Sequence, residues 1–388
     1  MAHNSTSGSP QWKFIVLLGG VSLLADVTYE GARSILGPFF GTLGASATVI
    51  GTVSGLGELL GYGARLLSGY ISDRTRRYWA VAIAGYSINL LAVPLLALTG
   101  HWLEAAGLVL AERLGKAIRT PARDVMLSYA AASVGQGWGF GIHEALDQLG
   151  ALLGPLLVSL TLMAGGQYRL SFALLLLPAL SALALLLRAR ALYPRPQGLE
   201  STTQPASTPR LPTMFWLYLL AAALAAAGTV DFPLFAYHFS RSTGIPDAWI
   251  PLLYALAMGA DALAALVLGR LFDRLGMKLL PLLVIPAALV APLVLFGGGP
   301  GILAGTLLWG ANLGAHESVL RAAVAGIVGQ SARGLAYGIF GAGFGLGWFL
   351  GSAAMGVLYD VSPSLVAVFS VCAHALSLCL FLAIAIRQ

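Results

Sequence analysis

The chain has 388 residues, 58% hydrophobic and only 10% charged, with a mean hydropathy of +0.82. A water-soluble globular domain carries about 25% charged residues, so this composition excludes one and points to a chain embedded in a bilayer. The net charge of +6 does not indicate a nucleic-acid partner, because the basic residues fall in short connectors instead of forming a patch on a polar domain.

Residues 1–11 are polar, and the apolar run after Lys13 is interrupted by Asp26 and Glu30 and lacks a small-residue cleavage site. It reads as a first spanning helix, not as a cleaved signal. Twelve spanning segments follow the pattern, at about 13–40, 46–71, 78–99, 102–126, 133–163, 168–190, 213–239, 247–271, 277–297, 300–325, 331–359 and 364–386, each long enough to cross roughly 30 Å of hydrocarbon. In lipid only helices or closed barrels satisfy their own amides, so the expected fold is an all-α membrane protein of twelve transmembrane helices.

Residues 191–212, rich in proline and small polar residues, read as a cytoplasmic linker between two six-helix bundles, 1–190 and 213–388. Lysine and arginine gather in one set of connectors: Arg74, Arg76 and Arg77, then Arg119 and Arg123, then Arg188, Arg190, Arg195 and Arg210, then Arg274 and Lys278, then Arg333. The opposite set holds Arg169 and Arg241. The basic side is the cytoplasmic one, which puts both termini inside.

The halves repeat. Gly69-Tyr-Ile-Ser-Asp73-Arg74-Thr-Arg76-Arg77 is echoed 200 residues later by Gly269-Arg-Leu-Phe-Asp273-Arg274-Leu-Gly276-Met-Lys278. Gly137, Gly141, Ile142, Ala145, Gly150 and Gly154 match Gly334, Gly338, Ile339, Ala342, Gly347 and Gly351 at a constant offset of 197. Same-sense repeats of six spans are related by an axis along the membrane normal, with solute handled between them.

These residues resemble the major facilitator superfamily of secondary transporters over nearly the whole chain. The turn Gly69–Arg77 is similar to the family's cytoplasmic loop between spans two and three, with Arg76 standing where the family usually has glycine. The resemblance implies a gate formed by Gly69, Asp73, Arg74 and Arg77, with Asp273, Arg274 and Arg333 in the second half. Gly141, Gly150, Gly154 and Pro155 look like the antiporter signature of span five, without its following Gly-Gly. The alternative for those residues is ordinary close helix packing. The segments Asp26–Glu30, Glu112–Asp124 and Gly139–Asp147 resemble a bacterial branch with poorly defined substrates.

Ionisable groups inside a bilayer are costly unless they face protein or water, so each is a functional candidate. Asp26, Glu30 and Arg33 share a helix face by spacing. Asp26 or Glu30 would bind and release a coupling proton, or the three would form a neutralising structural set. Span four carries Glu112, Lys116, Arg119 and Arg123 along a stripe beside Arg113. Here Arg113 is the deeper substrate or coupling candidate, and Arg119 and Arg123 are expected to pair with headgroups and support gating, the alternative being a basic stripe that attracts anionic cargo. In span five, His143, Glu144 and Asp147 lie within one turn, and histidine is the side-chain type that changes charge near neutral pH. The second half supplies Asp231, Asp261, Trp309, Glu317, Arg321 and Tyr337 as possible solute contacts.

No phosphate loop ending in Gly-Lys-Ser/Thr occurs, no strand precedes the glycine run at 341–347, and the cysteines and histidines lack metal-site spacing. The chain is therefore expected to be neither an enzyme nor a cofactor or metal binder. The expected function is proton-coupled export of a small amphipathic solute by a monomer in the bacterial inner membrane. A proton-coupled importer, and a membrane sensor or enzyme without net transport, are the alternatives.

Overall fold

A computed structural model of the protein describes residues 10–195, 211–328 and 333–386, which are helical with no strand among them. The helices are α1 (Pro10–Arg33), α2 (Leu36–Thr42), α3 (Ala47–Thr75), α4 (Tyr78–Leu95), α5 (Trp102–Val134), α6 (Gln136–Met163), α7 (Tyr168–Leu174), α8 (Leu176–Leu192), α9 (Thr213–Gly228), α10 (Phe232–Ser242), α11 (Trp249–Leu275), α12 (Leu279–Phe296), α13 (Gly298–Ala315), α14 (Arg321–Ile327), α15 (Arg333–Val361) and α16 (Pro363–Ile386). Four spans are composite: α1 with α2, α7 with α8, α9 with α10, and α13 with α14 through a π-helical turn at His316–Leu320. Twelve spans result, at the places the apolar runs predict. Among the described residues, eight helical stretches are long and apolar enough to cross a bilayer by length and composition alone, and one of these, Trp249–Phe296, takes in both α11 and α12. By that measure α3, α5 and the α13–α14 span fall short, because charged and small residues dilute their apolar content.

Two span ends differ from expectation. Span four runs on to Val134, and Arg119 and Arg123, counted above with the basic connectors, lie well inside α5. Pro121 does not stop this helix. Span two continues to Thr75, so Arg74 sits in the last turn of α3. The expected linker falls largely on residues 196–210, outside the described residues.

The chain forms two compact units, the first from the described parts of Met1–Ala32, Ala64–Thr99 and Gly107–Pro205, the second from those of Arg33–Gly63, Gly100–Ala106 and Ala206–Gln388. In unit one, Phe14, Leu18, Trp79, Tyr86, Met126 and Leu186 belong to the apolar core. In unit two the core includes Phe215, Tyr218, Leu280, Val319, Phe340 and Phe381.

The stretch Arg33–Gly63 joins unit two for identifiable reasons. Spans one and seven both break, after Arg33 and after Gly228, and the short helices beyond the breaks, α2 and α10, pack on each other. Their backbones touch: a Cβ on Gly37 would overlap the Pro233 carbonyl and lie 2.8 Å from the Tyr237 amide nitrogen. Asp360 at the end of α15 accepts hydrogen bonds from the Ala47 and Thr48 amides at 3.0 and 2.9 Å, capping α3 where a negative charge is favoured.

Candidate functional site: two buried ion-pair clusters

In unit one, residues 112, 116, 119 and 123 recur at helical spacing and turn one face of α5 toward Asp26 and Glu30 of α1. Lys116 Nζ lies 3.8 Å from Glu30 Oε1 and 3.9 Å from the centre of the Tyr29 ring. Arg119 is 1% exposed, its guanidinium 4.3 Å over the Tyr86 ring. Its Nη2 is 4.0 Å from Asp26 Oδ1, beyond hydrogen-bond length. Arg119 Nε and Nη1 and Asp26 Oδ1 have no hydrogen-bond partner among the described residues.

One turn further along the same face, Arg123 contacts Asp124 at 2.8 Å and Asp147 at 3.6 Å, and donates to the Ser22 hydroxyl at 3.2 Å. His143 Nε2 is 2.9 Å from Ser22 Oγ, and its Nδ1 is 3.7 Å from Asp147 Oδ2. Beside this chain, Arg113 and Glu112 pair at 3.3 Å, and the Asn89 amide donates to Glu112 Oε1 at 2.7 Å. The result is an alternating row of acids and bases in which each charge has an opposite neighbour, the arrangement that makes burial tolerable.

Unit two holds the second cluster. Arg33 Nη2 lies 3.0 Å from Glu58 Oε1 of α3 and 3.0 Å from Asp231 Oδ1. Asp231 is the N-cap of α10 and also accepts from the Phe232 amide at 3.0 Å. Arg33 therefore turns away from the set expected with Asp26 and Glu30: it closes the break in span one onto the break in span seven.

The remaining expected residues are dispersed. Glu144 is exposed, although His143 and Asp147 join the cluster. Arg119 is packed within unit one, not at the headgroups, because Tyr86 and Asp26 receive it. Gly69 faces Pro121, with 3.6 Å between its would-be Cβ and that ring, while Arg74 donates to the Tyr70 hydroxyl at 2.8 Å. Asp273, Arg274 and Arg77 are exposed, and the side chains of Asp73 and Arg333 lie outside the described residues. Trp309 is fully buried: its indole donates to the Val230 carbonyl at 2.8 Å and its ring packs on Phe232 and Tyr254, a core role instead of a cavity face. Asp261 is 4% exposed, Glu317 and Arg321 are exposed, and the Tyr337 hydroxyl donates to the Arg321 carbonyl at 3.2 Å. Sequence reasoning missed Ser22, Tyr29, Tyr86, Asn89 and Glu58. Only Glu58, a carboxylate inside an apolar run, carried a readable signal.

The profile of the Major Facilitator Superfamily matches residues 18–316. The chain belongs to the Major Facilitator Superfamily. It is similar to an uncharacterized protein of Mycobacterium tuberculosis, 43% identical over 380 residues, 96% of this chain and 93% of the relative. It is also similar to an uncharacterized MFS-type transporter of Methanocaldococcus jannaschii, 27% identical over 365 residues, 91% of this chain and 90% of the relative. Among solved structures, a mutant of the nucleoside transporter NupG superposes with a TM-score of 0.79 at 14% identity, covering 96% of this chain and 99% of that one. At such identity the likeness is one of fold. As a superfamily member the protein is a multi-pass secondary active transporter working by alternating access, and its fold is not an enzyme fold.

The glycines of α6 have a plain mechanical role. Within unit one, a Cβ on Gly150 would overlap the Leu23 carbonyl and one on Gly154 the Val27 carbonyl, so α6 rides directly on α1. Pro155 lies inside α6, and Gly141 has open space beside it. Gly154→Leu is expected to destabilise the protein by about 3 kcal/mol, because the α1 backbone at Val27 and Gly31 blocks the added atoms. A melting temperature equal to that of the parent chain would show that the two helices can separate there.

Proposed function

We propose that the protein imports a small polar organic solute together with a proton across a bacterial inner membrane. It works as a monomer built of halves 1–190 and 213–388, with both termini in the cytoplasm. The reading is carried by the Asp26–Arg119 pair. Two buried, oppositely charged groups stand 4.0 Å apart with three polar atoms lacking hydrogen-bond partners among the described residues. Unmet buried polar atoms cost about 1–3 kcal/mol each. A bound solute or water recovers that cost, and a proton taken up by Asp26 loosens its hold on Arg119. Fold likeness to the nucleoside transporter NupG and to peptide transporter POT supports solutes of that size and polarity. The basic connectors support the orientation, even with Arg119 and Arg123 taken out of the count.

Export by antiport is the second reading, and it rests on the Gly150–Gly154–Pro155 signature. The packing of those glycines on α1 serves either direction equally, which weakens its claim. Reconstitution into liposomes containing a pH-sensitive dye separates the two. An inward proton gradient is expected to speed uptake of members of a nucleoside and short-peptide panel several-fold, with lumenal acidification. Solute-driven proton movement in the opposite sense would establish export, and flux indifferent to the gradient would sink proton coupling altogether.

A further inference from the structure

We infer that a recess between the start of α4 and the end of α8 is a binding site for a phosphate-bearing anion, supplied by an anionic phospholipid headgroup at the cytoplasmic face. The recess has a volume of about 320 Å³ and is lined by Arg76, Arg77, Tyr78, Trp79, Arg190 and Pro194, all within unit one. That is the lower end of the range for small-ligand sites, about 300–1,000 Å³.

Three arginines open onto this one space, and none of them is paired with a carboxylate among the described residues. Guanidinium groups recognise phosphate oxygens in pairs, and several around one cavity make a selective receptor for that group. Arg77 precedes α4 and provides no side-chain cap, so the free amides and positive dipole end of that helix add to the same field.

The backbone supplies an independent sign. Arg76 has φ +52°, the only positive φ of a non-glycine residue among those described. Its counterpart 200 residues later is Gly276, with φ +57°. Both copies of the turn bend left-handed, but only the first places a long cationic side chain on strained backbone, where glycine would sit without strain. Strain of this kind persists where the side chain is used. The walls are also held in place. The Trp79 indole donates to the Tyr193 carbonyl at 3.0 Å, and Phe14 packs edge-on against Tyr193 with ring centres 5.0 Å apart. The Tyr193–Pro194 stretch is thereby pinned against α4.

The recess lies at the arginine-rich ends of the spans, which the orientation proposed above sets against the anionic leaflet. The phosphate chemistry does not depend on the direction of solute transport, so this site stands or falls separately from the coupling mechanism.

The test uses the full chain in detergent, with native mass spectrometry against phosphatidylglycerol and phosphatidylcholine, and calorimetric titration with glycerol 3-phosphate as the soluble source. Phosphatidylglycerol is expected to bind at least about fivefold tighter than phosphatidylcholine, with Arg76→Gly and Arg190→Gln each removing about fivefold of that affinity. Arg76→Gly should leave the melting temperature unchanged or raise it, because glycine fits the left-handed backbone, and this separates lost binding from lost folding. Glycerol 3-phosphate binding that responds to the same two variants, without preference for phosphatidylglycerol, would keep the phosphate site and reassign its source to a soluble ester. Arg188→Gln, an exposed arginine on the same helix outside the recess, is the control. If it weakens binding as much as Arg190→Gln, or if neither recess variant changes binding, diffuse surface charge explains the data and the site is overturned.

Discussion

Arg119→Met is expected to lower stability by about 3–5 kcal/mol and to abolish gradient-driven uptake. Arg119 is 1% exposed, stacked on Tyr86 and facing Asp26. Methionine fills much of the same volume but leaves Asp26 as a buried carboxylate deprived of that guanidinium, and an uncompensated charge in the interior is the most costly defect available there. The measurement is thermal melting in detergent together with uptake into liposomes. Adding Asp26→Asn should restore about 1 kcal/mol or more of the lost stability, since the second change removes the stranded charge. It should not restore transport, because the proposed proton-binding group is then gone. Equal melting of Arg119→Met and the parent chain would mean that Tyr86 and solvent, not the ion pair, set the energetics of the cluster.

The second large effect is expected at Arg33, on conformation and not on stability. One nitrogen of Arg33 is shared by Glu58 and Asp231 at 3.0 Å each, and it joins the end of α1 to α3 and to the start of α10. Arg33→Gln leaves the two carboxylates with no cation between them, so like charges press apart the surfaces that α2 and α10 close. A pair of spin labels at Thr42→Cys and Ser242→Cys, at the far ends of these helices, reports on the closure once the exposed Cys372 and Cys379 are changed to alanine. The separated population should rise about tenfold, a shift of roughly 1.4 kcal/mol. Arg33→Lys, which keeps the charge but offers less to share, should fall between. A distance distribution indifferent to both changes would show that backbone contact at Gly37 alone holds the end shut.

Both effects involve residues that sequence reading had in view, yet with different partners. The intramembrane charges Asp26, Glu30, Arg33, His143 and Asp147 are legible because an ionisable group in an apolar run needs a reason to be there. Helical spacing then groups Arg33 with Asp26 and Glu30. That grouping fails because the helix ends at Arg33 itself, and the last side chain is free to turn toward α3 and α10. Arg119 and Arg123 were counted with the basic connectors and expected at the headgroups, because they fall near the end of the apolar run and help define the basic side. Packing within unit one keeps α5 helical through Pro121, and the two arginines become interior groups.

By itself the sequence determined the class of molecule: an all-α chain with twelve crossings, a turn repeated at an interval of 200 residues, and a cast of buried charges. These follow from local quantities, namely the length of apolar runs, the scarcity of charge and the repetition of motifs, and lipid leaves such a chain no other regular structure. Only the tertiary structure decided which charge answers which: Lys116 with Glu30, Arg119 with Asp26 and Tyr86, and Arg33 with Glu58 and Asp231. It also decided that the breaks in spans one and seven meet, and that Arg76 and Arg190 open onto one recess. Pairing of this kind depends on the rotation and depth of each helix against its neighbours. Those are set by close contacts such as Gly154 on Val27 and Gly37 on Pro233, which no spacing within one helix reveals.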